Sequence, residues 1–340
     1  MSEKSVVLGF SGGMDSVTAA RKLSAEGWRV VAVTLDTVGD EPMLEKARRV
    51  AAEIGIDHHI VNVKEAFQSD VIDYFVSEYQ RGHTPAPCTV CNSAIKWKYL
   101  ISQTDKLGIE KVATGHYFRV ECDGDKYYVA RAADLSKDQS YYLWNLPQNI
   151  LSRIITPMSD MMKSDVRVNF TDKRESMGIC FLRGEGYREF LTNHCSEVVR
   201  RGEIVDTDGN VVGMHDGVAF YTIGQKRGLD GVTTGMAVVD IDADTNRLVV
   251  GAADKLYKST LEIDNCNIVD KELFMTAGDM SIIVRGIGRN PAEFIRRVEA
   301  IDGGYRIELG DPAWAPAVGQ PVVFYRQNRV LGGGFVSRCF

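Results

Sequence analysis

Two cysteines, Cys88 and Cys91, have the residue type and spacing for sulfur chemistry, in a proline-bearing stretch (84–92) ahead of a predicted helix over 93–101. A helix N-terminus stabilises negative charge, so either sulfur there could be a thiolate and act as a nucleophile. The pair could also be buried structural thiols, part of a zinc site completed by Cys180 and a histidine, or a thioredoxin-like redox pair. Against zinc, the second half of the usual paired spacing is missing. Against a redox pair, these cysteines do not follow the first strand of a thioredoxin-type pattern.

A glycine-rich turn near the N-terminus is the second chemical feature. An apolar run over 6–10 stops at Ser11-Gly12-Gly13, and a predicted helix begins at Asp15. The glycines allow positive φ and close approach of a ligand, and the first helical amides point at the same place. A plain strand-to-helix turn can carry the same glycines. The sequence Ser-Gly-Gly-x-Asp-Ser, however, resembles the pyrophosphate loop of the ATP-pyrophosphatase superfamily and matches neither the Walker loop nor the dinucleotide fingerprint.

Length and composition limit the kinds of protein to consider. The 340 residues are enough for two or three domains, and the formal net charge of −6 argues against a generally basic nucleic-acid-coating protein. A local basic patch remains compatible with that charge, because phosphate contacts need only one surface. Seven cysteines, an odd number spread along the chain, do not indicate a disulfide framework. With no signal-like N-terminus and no apolar run of about 18 residues, the expected location is the cytoplasm, with no membrane partner.

Residues 1–145 alternate between strand-like and helix-like segments, which predicts a doubly wound parallel α/β domain. Predicted strands cover 6–10, 29–35, 59–63 and 111–114; predicted helices cover 15–26, 42–54 and 70–79; a short hairpin is expected at 127–131. Ligands of such sheets lie beyond the carboxyl ends of the strands. That rule brings Gly115 and His116 to the same edge as the glycine-rich turn, although a histidine at a strand end is more often a packing residue. Likewise, 137–140 has the composition of a helix-capping turn.

After residue 145 the predicted secondary structure changes twice along the chain. Residues 146–201 predict a small helical connector, with helices at 149–153, 163–169 and 187–192 and with Cys180 in the non-helical run 175–182. Residues 202–340 predict an all-β domain, a small barrel or sandwich. Its predicted strands are 203–206, 210–213, 236–241, 247–250, 281–285, 305–309, 321–325 and 330–337.

Eight short stretches, taken together and in order, carry a family resemblance. They are 10–16, 84–87 with Cys91-Asn92, 113–117, 137–141, 178–181, 221–225, 318–320 and 331–334. On these motifs the chain resembles, over nearly its whole length, the tRNA-specific 2-thiouridylases of the MnmA/TrmU type. The resemblance implies an adenine nucleotide alpha hydrolase-like domain at 1–145, a connector carrying Cys180, and a barrel-like tRNA-binding domain.

The resemblance also implies a reaction. ATP, with Mg²⁺, adenylates O2 of the wobble uridine in tRNA. Cys180 receives persulfide sulfur from a cysteine desulfurase or a persulfide relay protein and delivers it to C2. Cys91 is the partner nucleophile, forming a disulfide with Cys180 as sulfur is released. The residues implied for ATP are Gly9, Phe10, Ser11, Gly12, Gly13, Met14, Asp15, Ser16, Leu35 and Gly115.

Contacts to tRNA follow from the same resemblance. A base must leave its stack to be modified, and a separate RNA-binding domain would hold the tRNA while this happens. The residues implied for tRNA are Ala86, Pro87, Cys88, His116, Lys137, Asp138, Gln139 and Gln320.

The chain departs from the family pattern at two places. Ala86-Pro87-Cys88 stands where the family commonly has Asn-Pro-Asp, so an extra thiol replaces an acidic residue. Cys88, Cys91 and Cys180 could then hold a [4Fe-4S] cluster, which is the alternative route to thiolation. The family's Arg-Tyr tRNA contact appears as Ile287-Gly288, flanked by Arg285 and Arg289. The other cysteines (Cys122, Cys195, Cys266 and Cys339) are interpreted as structural, and Trp97 and Trp144 as core residues.

Two hypotheses of other classes remain open. One is an ATP-pyrophosphatase ligase or amidotransferase acting on a small molecule; the Cys91 and Cys180 pair argues against it, because amide formation needs no positioned thiols. The other is an RNA-binding paralogue without catalysis, motivated by the missing acidic residue. It predicts that ATP binds and no AMP forms.

Overall fold

The computed structural model of the chain describes residues 4–168, 170, 178–276, 278–286 and 289–340. The chain divides into two compact units. The first comprises Met1–Val71, Cys88–Met177 and Asn328–Leu331; the second comprises Ile72–Pro87, Gly178–Gln327 and Gly332–Phe340. Predictions for residues 169, 175–177, 287 and 288 lie outside the described part of the chain.

Up to residue 168 the helices and strands alternate. They are β1 (Ser5–Gly9), α1 (Met14–Ala25), β2 (Arg29–Asp36), α2 (Glu41–Glu53), β3 (Asp57–Asn62), α3 (Lys64–Phe67), a π-helix (Gln68–Ile72), α4 (Asp73–Gln80), α5 (Pro87–Val90), a π-helix (Cys91–Trp97), α6 (Lys98–Lys106), β4 (Lys111–Thr114), β5 (Arg119–Asp123), β6 (Lys126–Ala130), a 3₁₀ turn (Ser140–Tyr142), α7 (Gln148–Leu151), β7 (Ile154–Ile155) and α8 (Lys163–Val168).

Strands dominate from residue 178 onward. The elements are a 3₁₀ turn (Cys180–Leu182), α9 (Tyr187–His194), a 3₁₀ turn (Ser196–Val198), β8 (Gly202–Asp206), β9 (Val211–His215), a 3₁₀ turn (Val218–Phe220), β10 (Ala237–Asp242), β11 (Arg247–Gly251), a 3₁₀ turn (Ala253–Leu256), β12 (Tyr257–Ile268), α10 (Lys271–Met275), β13 (Ser281–Ile283), β14 (Arg297–Ile301), β15 (Gly304–Trp314), β16 (Pro321–Arg326) and β17 (Arg329–Cys339).

A five-stranded sheet in the order β3-β2-β1-β4-β7 forms the centre of the first unit. All four of its pairings are parallel, which confirms the predicted α/β class. β1 is apolar because it is covered on both faces: Val6, Val7 and Leu8 are fully buried. The buried side of α1, including Leu23, packs with Val6 and Leu8 in one core cluster. This packing fixes the loop between β1 and α1 at the carboxyl edge of the sheet.

Local signals in the sequence explain where helix α2 begins and ends. Asp40 caps it by accepting a hydrogen bond from the Met43 amide at 3.1 Å, and a proline lies in its first turn. Gly55, with φ +69°, ends it. The predicted helix over 42–54 is therefore confirmed within one or two residues.

Two sheets make up most of the second unit. One has four strands in the order β10-β11-β8-β9, with β11 and β8 parallel; the other follows the order β13-β16-β17-β12-β15-β14 and is antiparallel. The predicted β domain is confirmed, but β12 was missed by sequence reasoning. Its sequence is rich in Asp, Asn, Lys and Ser, and only its Leu261, Glu262 and Ile263 are buried in a row.

Other elements also differ from the predictions: β5, β7, α10 and β14 were not predicted, and the hairpin expected at 127–131 is formed by β5 and β6. The helix expected at 70–79 is a π-helical turn followed by α4, and the helix expected at 93–101 is the π-helix Cys91–Trp97 continued by α6. Trp97 and Trp144 are buried, as predicted. Among the described residues, none of the helices has the length and apolarity required to span a membrane. The domain boundaries 145/146 and 201/202 stay a prediction.

Candidate active site

The loop between β1 and α1, called here the pyrophosphate loop (residues 9–16), leads directly into the first amides of α1. Gly12 has φ +65°, and a Cβ there would lie 3.0 Å from the Ala47 Cα, so both its conformation and its surroundings require glycine. Gly13 is the N-cap of α1 and no side chain caps the helix. The first amides of α1 therefore have no intrahelical partners and are available to an anion.

Two serine hydroxyls shape this loop from inside. Ser16 Oγ donates to the Gly13 carbonyl at 2.9 Å, and Ser11 Oγ therefore donates to Ser16 Oγ at 3.3 Å. The Gly13 amide donates to Ser11 Oγ at 3.3 Å. Ser16 is buried while Ser11 is exposed. Ser11 therefore lies on the solvent-exposed side of the loop.

Strands β2 and β4 bring further predicted residues to the same edge. A Cβ on Gly115 would lie 2.8 Å from the Ser16 amide nitrogen, so the end of β4 touches the start of α1. Leu35 lies near the end of β2 and is half-buried. Phe10 is buried, and its carbonyl accepts a hydrogen bond from Thr34 Oγ1 at 2.6 Å. The structure therefore gathers the residues predicted for the nucleotide.

Lys163 is a residue of this site that sequence reasoning missed. Its ammonium donates to both carboxylate oxygens of Asp15, at 2.6 and 2.8 Å, and only 7% of its side chain is exposed. The Tyr117 hydroxyl donates to Asp15 Oδ1 at 2.9 Å. A carboxylate at a phosphate site repels the ligand; here its charge is compensated by a buried lysine. The sequence around Lys163 gives no sign of this ion pair, because its partner Asp15 lies 148 residues earlier in the chain.

Asp134 fixes the start of the helix that carries Lys163. Its Oδ2 accepts the Lys163 amide at 2.9 Å, and its Oδ1 accepts the Ser136 amide and hydroxyl at 3.0 and 2.6 Å. The Ser136 hydroxyl and the Lys163 amide, in that order, lower the pKa of Asp134. The carboxylate is therefore held in its ionised form as the cap of α8.

His116 is held as a neutral imidazole. An ammonium can only donate, so Nε2 accepts from Lys96 Nζ at 3.1 Å and Nδ1 donates to Thr114 Oγ1 at 2.8 Å. Burial first, and then the charge of Lys96, lower the pKa of His116 well below its usual value. The ring also lies 6.2 Å from that of Trp97. Both ring nitrogens are thus committed to the protein.

The loop 134–139 is ordered by its own side chains. Asp138 accepts the Ala132 amide at 2.9 Å and the Ser140 hydroxyl at 2.5 Å, and burial raises its pKa. Gln139 exchanges two hydrogen bonds with the backbone of Tyr117, at 2.8 and 3.0 Å. Lys137 is half-exposed. Of the three residues predicted to contact RNA here, two shape the loop from within.

Cys91 opens the π-helix Cys91–Trp97, and Cys88 lies one turn earlier in α5. π-Helical turns inside α-helices are frequent at functional sites. Cys88 is exposed and Cys91 half-buried, and neither forms a disulfide. The neighbouring Asn92 donates to the Tyr142 carbonyl at 3.2 Å, which ties this helix to the rest of the first unit.

Cys180 belongs to the second unit and is also an exposed free thiol. It begins a 3₁₀ turn whose next residue, Phe181, is buried against Phe75 and Phe190, each with ring centroids 5.2 Å away. Burial raises the pKa of Cys266 to about 12 and that of Cys339 to about 11, which fits structural thiols. The buried Phe181 side chain therefore fixes the Cys180 thiol at the surface of its unit.

Of the predicted tRNA residues of the second unit, Ala86 and Pro87 lie on the chain segment that leads to Cys88, and Gln320 lies just before β16. The Thr84 amide donates to the Val318 carbonyl at 2.8 Å, and the Ala86 amide contacts the Tyr74 hydroxyl at 3.4 Å. Pro87 is buried at the start of α5. Gln320 is half-exposed, and its Oε1 accepts the Ala317 amide at 3.1 Å. Gln320 thus shapes the turn that supports Thr84.

Two arginines flanking the departure at 287–288 are engaged within the second unit. The Arg285 guanidinium lies 5.1 Å from the Trp314 ring centroid and donates to the Ile223 carbonyl at 3.4 Å. Arg289 donates to the Tyr257 hydroxyl at 3.2 Å. In the described part of the chain, no group of three or more His, Cys, Asp or Glu side chains is placed to hold a metal ion. The cluster alternative for Cys88, Cys91 and Cys180 has no support from this geometry.

A parallel sheet with a glycine loop after its first strand, together with a mostly antiparallel β domain, defines the class of HUP or PP-loop α/β proteins. Family models agree: the tRNA methyl transferase HUP domain matches residues 4–184, and the tRNA methyl transferase PRC-barrel domain matches 188–252. Known relatives narrow the class. The tRNA-specific 2-thiouridylase MnmA 1 of Bacteroides fragilis is 38% identical over 98% of this chain and 97% of that protein. The chain belongs to the MnmA family of tRNA-specific 2-thiouridylases, which confirms the resemblance.

A second relative has a similar sequence identity. The tRNA-specific 2-thiouridylase MnmA 1 of Clostridium botulinum strain Loch Maree is 36% identical over 99% of this chain and all of that protein. Among solved structures, a 4-thiouridine synthetase–RNA complex with bound ATP matches 48% of this chain and 39% of its own, with 21% identity and a TM-score of 0.33.

Proposed function

We propose that this protein is an ATP-dependent tRNA sulfurtransferase that replaces O2 of the wobble uridine with sulfur. The observation that carries the proposal is that one unit holds both a glycine-built anion loop, with its charge-compensated Asp15, and a helix that begins at Cys91, a cysteine outside any disulfide. A uridine carbonyl is a poor electrophile until its oxygen becomes a phosphate ester, so adenylation and a sulfur nucleophile belong together. Membership of the 2-thiouridylase family supports the same reaction.

ATP fits the residues of the pyrophosphate loop. The amides at the start of α1 and the Ser11 hydroxyl would bind the phosphates, while Lys163 adds positive charge beside them. Asp15, whose side chain is 35% exposed, is the carboxylate that would share Mg²⁺ with the phosphate oxygens. Mg²⁺ would neutralise charge that develops on the pyrophosphate leaving group. Leu35 and Gly115 would border the adenine.

Sulfur transfer is assigned to two thiols. The terminal sulfur of a persulfide on Cys180 attacks C2 of the adenylated uridine, and AMP leaves with the former O2. The Cys91 thiolate then attacks the Cys180 sulfur, which releases the thiocarbonyl and leaves a Cys91–Cys180 disulfide that an external dithiol reduces. The persulfide sulfur comes from a cysteine desulfurase or a relay protein. This persulfide route is proposed in place of an iron–sulfur cluster.

The remaining predicted residues are assigned to RNA. His116 and Lys137 would lie against the flipped uridine and its neighbours, while Gln320, Ala86 and Pro87 would meet the tRNA from the second unit. We keep the boundaries 1–145 for ATP chemistry, 146–201 for the connector and 202–340 for tRNA binding. The proposed location is the cytoplasm.

Cysteine variants test the function directly. Unmodified tRNA transcript, ATP and a persulfide donor are incubated with Cys91→Ser, Cys180→Ser or Cys122→Ser, and the nucleosides are identified by mass spectrometry. Cys122 is an exposed thiol in no motif, so it is the matched control. We expect 2-thiouridine from the wild type and from Cys122→Ser, and a loss of at least about 10²-fold in the other two variants, which remove a nucleophile.

Parallel reactions separate the alternatives. Because the matching family models are described as methyl transferases, S-adenosylmethionine is supplied in one of them. A methylated nucleoside, or full activity in Cys180→Ser, would contradict the proposal. Iron content is measured on anaerobically purified protein; thiolation that tracks with iron would overturn the persulfide route while leaving thiolation itself intact.

A further inference from the structure

The first unit contains a ring, called here the coupling circuit, formed by hydrogen bonds among Asp15, Lys163, Asp134, Gln139 and Tyr117 and closed by the chain segment 134–139. On one side, Lys163 joins Asp15 through its ammonium, at 2.6 and 2.8 Å, and Asp134 through its backbone amide, at 2.9 Å. Asp134 is the first residue of the loop 134–139. One end of that loop is therefore two hydrogen-bonded steps from the pyrophosphate loop.

The other side of the circuit reaches the same carboxylate. Tyr117 donates its hydroxyl to Asp15 Oδ1 at 2.9 Å. Its backbone is clamped by Gln139, which donates to the Tyr117 carbonyl at 2.8 Å and accepts the Tyr117 amide at 3.0 Å. Gln139 is the last residue of the loop 134–139. Both ends of this loop are thus connected to Asp15 by separate paths.

Burial makes the circuit sensitive to displacement. Tyr117 is 2% exposed, Asp134 is 6% exposed and the Lys163 side chain is 7% exposed. Water cannot readily replace a bond that is stretched there, so a shift of one member shifts the next or leaves a buried polar group unsatisfied. The Ser136 hydrogen bonds to Asp134 add to this constraint, because they hold the carboxylate inside the loop.

We propose that RNA held on the loop 134–139 changes the affinity of the protein for ATP through the coupling circuit. The inference rests on the proposed function, which assigns RNA to this loop and ATP to the loop beside Asp15. In the observed arrangement Lys163 gives two hydrogen bonds to Asp15. In the other arrangement the RNA-bound loop moves α8 through Asp134 and Lys163 shares its ammonium with the phosphates, which bind more tightly. By linkage, ATP strengthens RNA binding by the same factor.

Two variants remove single contacts of the circuit at residues that are not assigned to either ligand. Tyr117→Phe deletes the hydroxyl and keeps the buried ring. Asp134→Asn keeps the shape and one acceptor and removes the charge. Tyr99→Phe and Asp160→Asn are their matched controls in the same unit; Asp160 pairs with Lys22 at 2.6 Å, outside the circuit. The controls repeat the same chemical changes outside the circuit; Tyr99 is half-buried and Asp160 exposed, whereas Tyr117 and Asp134 are buried.

Calorimetric titration of the full-length protein with an α,β-methylene ATP analogue, with and without unmodified tRNA transcript, is the test. We expect tRNA to tighten analogue binding by a factor in the usual range of about 5 to 150 in the wild type and the controls. In Tyr117→Phe and Asp134→Asn the path from RNA to Asp15 is broken, so the RNA-dependent factor should fall below about 2.

The coupling is refuted if tRNA leaves the analogue affinity of the wild type unchanged. It is also refuted if tRNA changes the analogue affinity of the circuit variants as much as that of the wild type. Thiouridine formation, measured on the same preparations with ATP and a persulfide donor, separates this inference from the proposed function. Product formation together with a factor of one refutes the circuit alone. Absence of product together with an RNA-dependent factor that the circuit variants lose refutes the thiolation and supports the coupling.

Discussion

Individual side chains divide into those that sequence can identify and those that only the fold reveals. The serines and glycines of the pyrophosphate loop are adjacent in the chain, so their pattern is readable. Lys163 reaches Asp15 from 148 residues away, and nothing in its own neighbourhood indicates an ion pair. Long-range electrostatic partners of this kind could not be predicted because local patterns carry no information about them.

Three histidines with lowered pKa values predict that the folded protein loses stability as the pH falls. Burial, as the largest cause, lowers the pKa of His58, His116 and His215 from 6.5. The unfolded chain therefore binds protons at a higher pH than the folded one. The stability contribution is complete above pH 6.5 and declines as pH falls from there toward the lowered folded values. Urea unfolding from about pH 8 to about pH 5 should show a falling midpoint.

His215 offers a way to check the cause of that decline. Its Nδ1 accepts the Gly217 amide at 3.0 Å, and its Nε2 donates to the Asn246 carbonyl at 3.2 Å. His215→Asn retains an acceptor and cannot titrate, so the variant should lose less stability between the two pH limits than the wild type. An unfolding midpoint that stays flat or rises on acidification of the wild type would contradict the prediction.

Strands that are buried on both faces of a sheet were predictable from sequence, whereas strands with few buried residues were harder to predict. Four of the five strands of the parallel sheet, β1 to β4, are short apolar runs and were located within about two residues, whereas β7 was not predicted. Strand β12 was missed because it has no alternating apolar pattern: its buried residues are the consecutive Leu261, Glu262 and Ile263, and one of them is charged. Strand β14, Arg297–Ile301, was missed because it has a single buried side chain, Val298. The position of Gly115 at the edge of the sheet was predicted from sequence. The close contact of the end of β4 with the start of α1 was not, because a sequence pattern gives no distances between elements.

Gly115→Ala tests that approach. The added Cβ would lie 2.8 Å from the Ser16 amide nitrogen and 2.9 Å from the Asp15 carbonyl carbon, both of them backbone atoms. The end of β4 and the pyrophosphate loop must then separate, so we expect ATP-analogue affinity to fall about tenfold or more and stability by about 1–3 kcal/mol. Gly278→Ala, where a Cβ meets nothing within 4 Å, is the control. Unchanged analogue affinity in Gly115→Ala would refute this role.

At the scale of the whole chain, the division into units could not be predicted from sequence order. Residues 72–87 precede Cys88 and yet belong to the second unit, where Thr84 meets Val318. Residues 328–331 return to the first unit, where Arg329 pairs with Glu121 at 2.6 Å. Such exchanges depend on contacts between distant segments. A net charge of −6 likewise means that RNA affinity must come from local groups and not from the average.

The central claim is that ATP cleavage activates the uridine that receives sulfur. The most direct measurement counts AMP and 2-thiouridine in the same quenched reaction of wild-type protein, unmodified tRNA, ATP and persulfide donor. The account predicts one AMP for each 2-thiouridine, and no AMP formation above background when tRNA is omitted. Thiouridine formed without AMP, or AMP formed at the same rate without tRNA, would contradict it.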